Sequence, residues 1–369
     1  MKQAPRYYRF SADALHEFTS RVFQALDVPK ADADLAADVL SYSDRYGIDS
    51  HGVARLDTYC DLLREGMINP KPNHRLVRDR LAAGTLDGDN GMGLVIGPKA
   101  LHIAQEKATQ CGSGMIAVRN SNHFGAAGYY PVKTLERDQI GWAMTNTSRG
   151  VVPHWGVERR LGTNPIAIAF PGLAEPPIVI DMSTSVVPYG KIEIAHRKGV
   201  SIPARWAITE QGQPTENPLD MMQGGALLPL GTDDEGCGHK GYCLGAMVDI
   251  LSGPLSGANW GPFVPAFAIG APTTKEKVGK GIGHFFGAWS IDAFREVEEF
   301  KRQIDHWIQT MRATKPQAGK EQVLIPGDPE RWAYEERQEH GIPIIQGVLD
   351  SLKRISTATS VPVPKYEAV

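Results

Sequence analysis

Three side chains that can carry proton or anion chemistry recur every four residues in the segment Asp49-Ser-His-Gly-Val-Ala-Arg-Leu-Asp-Thr-Tyr59: His51, Arg55 and Tyr59. On an α-helix the i, i+4, i+8 spacing places all three in one row. An imidazole exchanges a proton, a guanidinium takes a carboxylate in a fork, and a phenol donates a hydrogen bond. The row therefore suits an anionic, oxygen-rich substrate, and a helix N-terminus would hold His51 neutral. By spacing alone the row reads as a solvated polar face, but Leu56, Leu62 and Leu63 beside it point to the border of a core.

A second histidine, His123, lies in Arg119-Asn-Ser-Asn-His-Phe-Gly-Ala-Ala-Gly-Tyr-Tyr130, just beyond a strand that ends near Val118. In α/β sheets, ligands bind in the crevice outside the carboxyl ends of strands. His123 is thus placed for general acid or base work, with Asn120, Ser121 or Asn122 available to hold its tautomer. Other strand ends carry Thr147 and the run Asp181-Met182-Ser183, whose hydroxyls and backbone donors could meet a nucleotide. Lys240 opens a helix, where N–H groups and a lysine attract phosphate. Cys237, His239 and Cys243 match no standard zinc spacing, and we expect no metal.

The elements that must position these groups alternate in kind. Ser11 caps a helix running to Leu26, a second covers Ala31 to Tyr46, and a third is expected from Asp49-Ser50 to Gly66. Thr85 to Gly93 reads as a loop, followed by a helix over Lys99 to Thr109. Strands are expected at Met115 to Val118, Ile140 to Met144, Ile166 to Phe170 and Ile178 to Asp181. Further helices cover Gly241 to Leu251, Phe294 to Met311 and Ile345 to Ile355. The 39 glycines concentrate at 84–128 and 224–287, where backbone approaches a ligand or another chain closely.

With 39 basic and 42 acidic side chains the net charge is -3, which excludes the basic surface that nucleic-acid binding needs. No window is apolar enough to span a membrane, no signal-peptide core begins the chain, and four scattered cysteines form no disulfide scaffold, so a cytoplasmic protein is expected. The dinucleotide fingerprint G-x-G-x-x-G, after a strand and opening a helix, is missing: Gly112-Ser-Gly114 precedes a strand, and Gly279-Lys-Gly281 has the wrong third position. A dinucleotide would have to bind outside the Rossmann pattern.

Taken together, these segments resemble the non-Rossmann malate/L-lactate dehydrogenase family, which includes ureidoglycolate and sulfolactate dehydrogenases, 2,3-diketogulonate reductase and Δ1-piperideine-2-carboxylate reductase. The resemblance runs in order through Asp-Ser-His-Gly-Val-Ala-Arg (49–55), Gly-Met-Ile-Asn-Pro (66–70), Ser-Asn-His-Phe-Gly-Ala-Ala-Gly-Tyr-Tyr (121–130) and Gly-Thr-Asn-Pro (162–165). It continues through Ile-Asp-Met-Ser (180–183), Gly-His-Lys-Gly-Tyr (238–242), Val-Asp-Ile-Leu-Ser-Gly (248–253) and Ile-Pro-Gly-Asp-Pro-Glu (325–330).

It implies a three-layer α/β/α fold with a mixed seven-stranded sheet and an N-terminal helical region, a homodimer, NAD or NADP as cofactor, and hydride transfer at C2 of a small 2-hydroxy or 2-oxo acid. Reduction of 2-imino acids or diketo sugar acids is the alternative. The implied divisions are 1–80 (helical), 81–120 with 320–369 (dimerisation and substrate) and 121–319 (cofactor). Arg55 and Tyr59, with Ser50, match the substrate contacts. The family's proton carrier is assigned at the positions of both His123 and His51, and the strand end favours His123. Cofactor contacts fall at Thr147, Asp181, Met182, Ser183, Lys240, Pro326, Gly327 and Asp328. Cys237, Cys243 and Asp328 depart from the family's usual residues.

Overall fold

The computed structural model describes residues 7–267 and 276–368, without the side chain of Arg197. Residues 1–6, on which most of the N-terminal reading falls, lie outside them.

Ser11 caps α1 (Ala12–Gln24), its Oγ accepting the Ala14 N–H, and α2 (Lys30–Arg45) packs against it. A single 3-10 turn, Val53–Arg55, leads into α3 (Leu56–Arg64). The chain then forms β1 (Arg75–Asp79), β2 (Ala83–Asp87), α4 (Gly93–Cys111), β3 (Ser113–Ser121), α5 (Tyr129–Thr134), β4 (Gln139–Thr145), β5 (Ile166–Phe170) and β6 (Ile178–Met182). After α6 (Tyr189–Lys198) and α7 (Gly238–Ser252) come β7 (Ile282–Ser290), α8 (Val297–Arg312), α9 (Asp328–His340) and α10 (Gln346–Thr359).

The seven strands make one mixed sheet in the order β1-β2-β3-β7-β4-β5-β6. Only β2 and β3 run parallel, joined by α4 as crossover; the other neighbours are antiparallel. This is not the parallel sheet of a Rossmann domain. Alternation along the strands separates two faces. Ile116, Val118 and Phe286 turn toward Leu101 and Ala104 of α4, whereas Ala117, Met144 and Phe285 turn toward Val248 and Leu251 of α7. Helices therefore cover both sides, in three layers as expected. A separate small sheet pairs Tyr7–Phe10 with Ile342–Ile345 and Tyr366–Ala368, tying the two ends of the chain together.

Three local expectations are corrected. Thr85 to Asp87 belongs to β2 rather than a loop, because Leu86 is buried between neighbouring strands. The helix after it starts at Gly93, ahead of Lys99. No helix begins at Asp49-Ser50: Gly52 is extended (φ -91°, ψ -146°), and helical structure starts only at Val53. The cause is a side chain from the preceding helix, described next.

Candidate active site

The segment bearing His51 is shaped by Asp44, at the end of α2. Its buried carboxylate accepts the Val53 N–H with both oxygens, at 3.0 and 3.2 Å, and so caps the 3-10 turn from outside it. Gly52 passes so close that a Cβ there would stand 1.8 Å from Asp44 Oδ1. Arg337, from α9, donates to the Asp44 carbonyl and to Asp49 Oδ1, both at 2.6 Å. His51, Arg55 and Tyr59 thus do not form one helical row; a bend, a turn and a helix present them separately, and they still converge.

They converge on His123. The Tyr59 hydroxyl lies 2.6 Å from His123 Nδ1 and 3.3 Å from its carbonyl oxygen, and the His51 ring lies 5.7 Å away at 19° to that of His123. Phe267 stacks on His123 at 4.3 Å. The turn holding His123 is packed onto the start of α4, where a Cβ at Gly93 would stand 2.1 Å from Asn122 O and 2.5 Å from His123 O. Glycine is needed there for this approach, which is one reason for the surplus at 84–128.

Hydrogen bonding leaves one ring nitrogen of His123 open. Nδ1 faces Tyr59 and the Gly125 N–H (3.3 Å), while Nε2 has no protein partner among the described residues. Burial, reinforced by His51, Arg55 and His284, lowers the His123 pKa well below 6.5. Burial and then Arg55 lower that of His51 to about 4. Ser50 Oγ sits 2.8 Å from His51 Nδ1, and the Ser50 carbonyl receives Arg55 Nε–H at 2.8 Å. Tyr59 is fully buried, its pKa raised by that burial, so it meets His123 rather than the open cleft.

Sequence reasoning missed His284, on β7. It is fully buried, bonded through Nδ1 to Thr145 and through Nε2 to Ser121, both at 2.8 Å, and stacked on Phe124 at 4.9 Å. With both nitrogens engaged it supports the His123 turn from beneath. Burial lowers its pKa to about 3.

A cleft of about 1510 Å³ opens beside these groups and is lined by Ser50, His51, Arg55, His123, Thr147, Asp181, Met182, Ser183, Pro326 and Gly327, among others. A single small-molecule site is typically ~300–1,000 Å³, so there is room for a cofactor as well as a substrate. Asp181, at the end of β6, accepts the Gly128 N–H at 2.7 Å. Its carboxylate is open to water in the cleft but otherwise enclosed by protein, and the lost solvation raises its pKa. Thr147 Oγ1 accepts the Thr163 N–H at 2.9 Å, and Ser183 Oγ donates to Ser185 O. The Pro326-Gly327 turn is docked on β6 through Val179 N–H to Pro326 O.

Two expected cofactor residues are placed elsewhere. Lys240 is exposed on α7 and does not line the cleft. Asp328 is buried and spent on structure: it accepts the Ile325 N–H (2.9 Å) and pairs with Arg312 (3.0 Å) and Arg331 (2.7 Å), holding the turn from behind. Among the described residues no cluster of three His, Cys, Asp or Glu side chains could hold a metal ion.

A deep cleft at the strand ends of a mixed sheet, with neutral histidines and an unpaired guanidinium, is the site of a small-molecule enzyme built on a non-Rossmann α/β/α scaffold. Residues 10–353 match the family model described as malate/L-lactate dehydrogenase. The malate dehydrogenase of Pyrococcus abyssi is 44% identical over 356 residues, 96% of each chain, and the L-sulfolactate dehydrogenase of Methanocaldococcus jannaschii is 37% identical over 94% of this chain and 95% of that one. The crystal structure of malate dehydrogenase from Entamoeba histolytica superposes with a TM-score of 0.91 at 32% identity, covering 97% of this chain and all of the other (100%). The chain belongs to the malate/L-lactate dehydrogenase family.

Proposed function

We propose that the protein is an NAD(P)-dependent dehydrogenase that interconverts a small 2-hydroxy acid and its 2-oxo acid. The observation that carries this reading is the open Nε2 of a half-buried His123 facing the same cleft as the free fork of Arg55. The residues along the cleft fit a dinucleotide: the Thr147 hydroxyl, Ser183 Oγ as an acceptor, the main chain at Met182 and the exposed peptide of Pro326-Gly327 offer polar contacts without a Rossmann turn. When bound, the nicotinamide supplies or accepts the hydride at C2.

The chain's own residues do the rest. Arg55 clamps the carboxylate and so orients C2, and Ser50 holds both Arg55 and His51 in place. His123 Nε2 gives a proton to the substrate oxygen during reduction and takes it back during oxidation. Tyr59 makes both states possible, because a hydroxyl can donate or accept. Turned toward the His123 carbonyl, it accepts Nδ1–H, which leaves Nε2 a lone pair in the neutral ring that oxidation needs and an N–H in the imidazolium that reduction needs. Tyr59 is thus a positioning residue rather than the substrate contact expected from the sequence. His51, held neutral by its own burial, packs beside His123 at 5.7 Å.

The working form proposed is a cytoplasmic homodimer. Among the described residues no helix is long and apolar enough to cross a membrane, and all four cysteines are free thiols. α7 leaves Cys243, Met247 and Ile250 exposed on successive turns, with Leu255 and Trp260 beyond it, an apolar strip that a second copy could cover. The division into 1–80, 81–120 with 320–369, and 121–319 is likewise a proposal.

The direct test is a panel of 2-oxo acids, and of pyruvate with methylamine as a 2-imino source, each assayed with NADH and NADPH. Turnover of 2-oxo acids is expected; turnover confined to the imino mixture would overturn the assignment. The pH profile follows from His123. Reduction needs the imidazolium, which burial makes scarce in the free enzyme above pH 6.5. Reductive kcat/KM is therefore expected to climb about tenfold per unit as pH falls from 8 to 6.5, without a plateau, while oxidative kcat/KM stays flat over that window. A reductive plateau in that range would mean the proton donor is another group.

A further inference from the structure

Five arginines line the cleft: Arg55, Arg149, Arg159, Arg160 and Arg331. Three are tied into the protein. Arg159 donates to the carbonyls of Gly225 and Met221, Arg160 pairs with Glu158, and Arg331 pairs with Asp328. Arg55 spends only its Nε, on Ser50. Arg149 spends nothing: among the described residues it has neither a hydrogen bond nor an ion pair, although it is half-buried. A guanidinium drawn partly out of water with no counter-charge is costly unless a ligand supplies one.

The position of Arg149 is held firmly by its neighbours. Gly150 N–H bonds Leu161 O at 2.8 Å, Gly150 O receives Leu227 N–H at 2.9 Å, and Thr147 is clasped to Thr163. The side chain is close enough to Arg159 to oppose its charge, and Tyr189, at the start of α6, acts on the same guanidinium with the opposite sign. The next residue, Gly190, abuts Ser50, whose Cβ is 3.6 Å from where a Gly190 Cβ would stand. The wall carrying Arg149 therefore closes onto the segment that holds Ser50, His51 and Arg55, on the substrate side rather than at the Pro326-Gly327 turn.

We propose that Arg149 receives the distal acid group of a dianionic 2-oxo or 2-hydroxy acid, a dicarboxylate or its sulfonate counterpart, while Arg55 holds the carboxylate next to the reacting carbon. The inference rests on the dehydrogenase reading for its chemistry, and on the two unpaired guanidinium groups for its substrate class. Because Arg159 is anchored to carbonyls and Arg160 is neutralised by Glu158, Arg149 is the side chain of that wall free to reach the ligand. A monoanionic 2-oxo acid would satisfy Arg55 and leave Arg149 bare.

The test compares the wild-type enzyme with Arg149→Gln and Arg149→Lys. With oxaloacetate and pyruvate as substrates and both reduced cofactors, Arg149→Gln is expected to lower the oxaloacetate-over-pyruvate ratio of kcat/KM at least tenfold, mainly through KM for oxaloacetate, and Arg149→Lys to recover part of it. An equal loss on both acids would overturn the proposal. So would a change confined to the preference for NADPH over NADH, which would put Arg149 on a cofactor phosphate. Calorimetric titration with malate and L-lactate reads the same preference without turnover. If the wild-type enzyme reduces neither acid, the dehydrogenase reading fails, yet a malate preference lost in Arg149→Gln still supports the site; no preference in the wild type overturns it.

Discussion

His123→Gln is expected to lower kcat at least about 10²-fold in both directions, the contribution typical of a general acid or base, while the Kd for reduced cofactor stays within about twofold. The amide can keep a hydrogen bond to Tyr59 and fills much the same space, so the variant removes proton transfer without emptying the site. His51→Gln makes the contrast. His51 is neutral at pH 7, with its pKa lowered to about 4, and its Nδ1 is engaged by Ser50. That variant is expected to keep more than a tenth of kcat and to leave the pH profile nearly unshifted between pH 6.5 and 8, because a neutral ring places no charge beside His123. Steady-state rates and a fluorescence titration with NADH measure both effects. The reverse pattern, an active His123→Gln and an inactive His51→Gln, would exchange the two roles.

How far the sequence could be read depended on whether an element's causes were local. Ile166–Phe170 agrees residue for residue, since Pro165 and Pro171-Gly172 bracket an apolar run. β7 went unread although it lies in the middle of the sheet. Ile282-Gly-His-Phe-Phe-Gly-Ala-Trp-Ser is covered on both faces, so it shows no alternation, and its two glycines resemble loop punctuation. With it went His284, whose partners Thr145 and Ser121 are 139 and 163 residues away. The ordered series of motifs along the chain pointed to the family and fold where periodicity could not.

The same distinction applies within the candidate site. The grouping of His51, Arg55 and Tyr59 was legible, but its geometry was not, because the cap on Val53 comes from Asp44 rather than from a neighbouring Ser or Asp. Tyr59 illustrates the limit of spacing arguments. Its type suits a substrate contact, yet only tertiary packing shows that its hydroxyl is used by His123. Asp328 and Lys240 illustrate the converse: residues of suitable charge that folding either pairs with arginine or leaves outside the cleft.

Gly52→Ala is expected to damage stability and acid binding together, since the new Cβ would stand 1.8 Å from Asp44 Oδ1 and 2.4 Å from its Cγ. Either the carboxylate leaves the Val53 N–H or the segment carrying His51 and Arg55 moves. Overpacking costs roughly 1–3 kcal/mol and an unsatisfied buried donor about as much again, so a loss of about 3 kcal/mol in denaturant unfolding and a rise of at least tenfold in KM for the acid are expected. Burial raises the Asp44 pKa to about 7; the Val53 bond and Arg337 pull it down, and Asp49 pushes it up. A folded-state pKa above the unfolded value of ~3.9 means that its stabilising contribution is complete below about pH 4 and fades as pH rises through 7. Asp44→Ala opens the space that the new methyl group needs. The double variant is therefore expected to be more stable than the sum of the two single losses predicts, and strict additivity in that cycle would show that the two residues do not constrain each other.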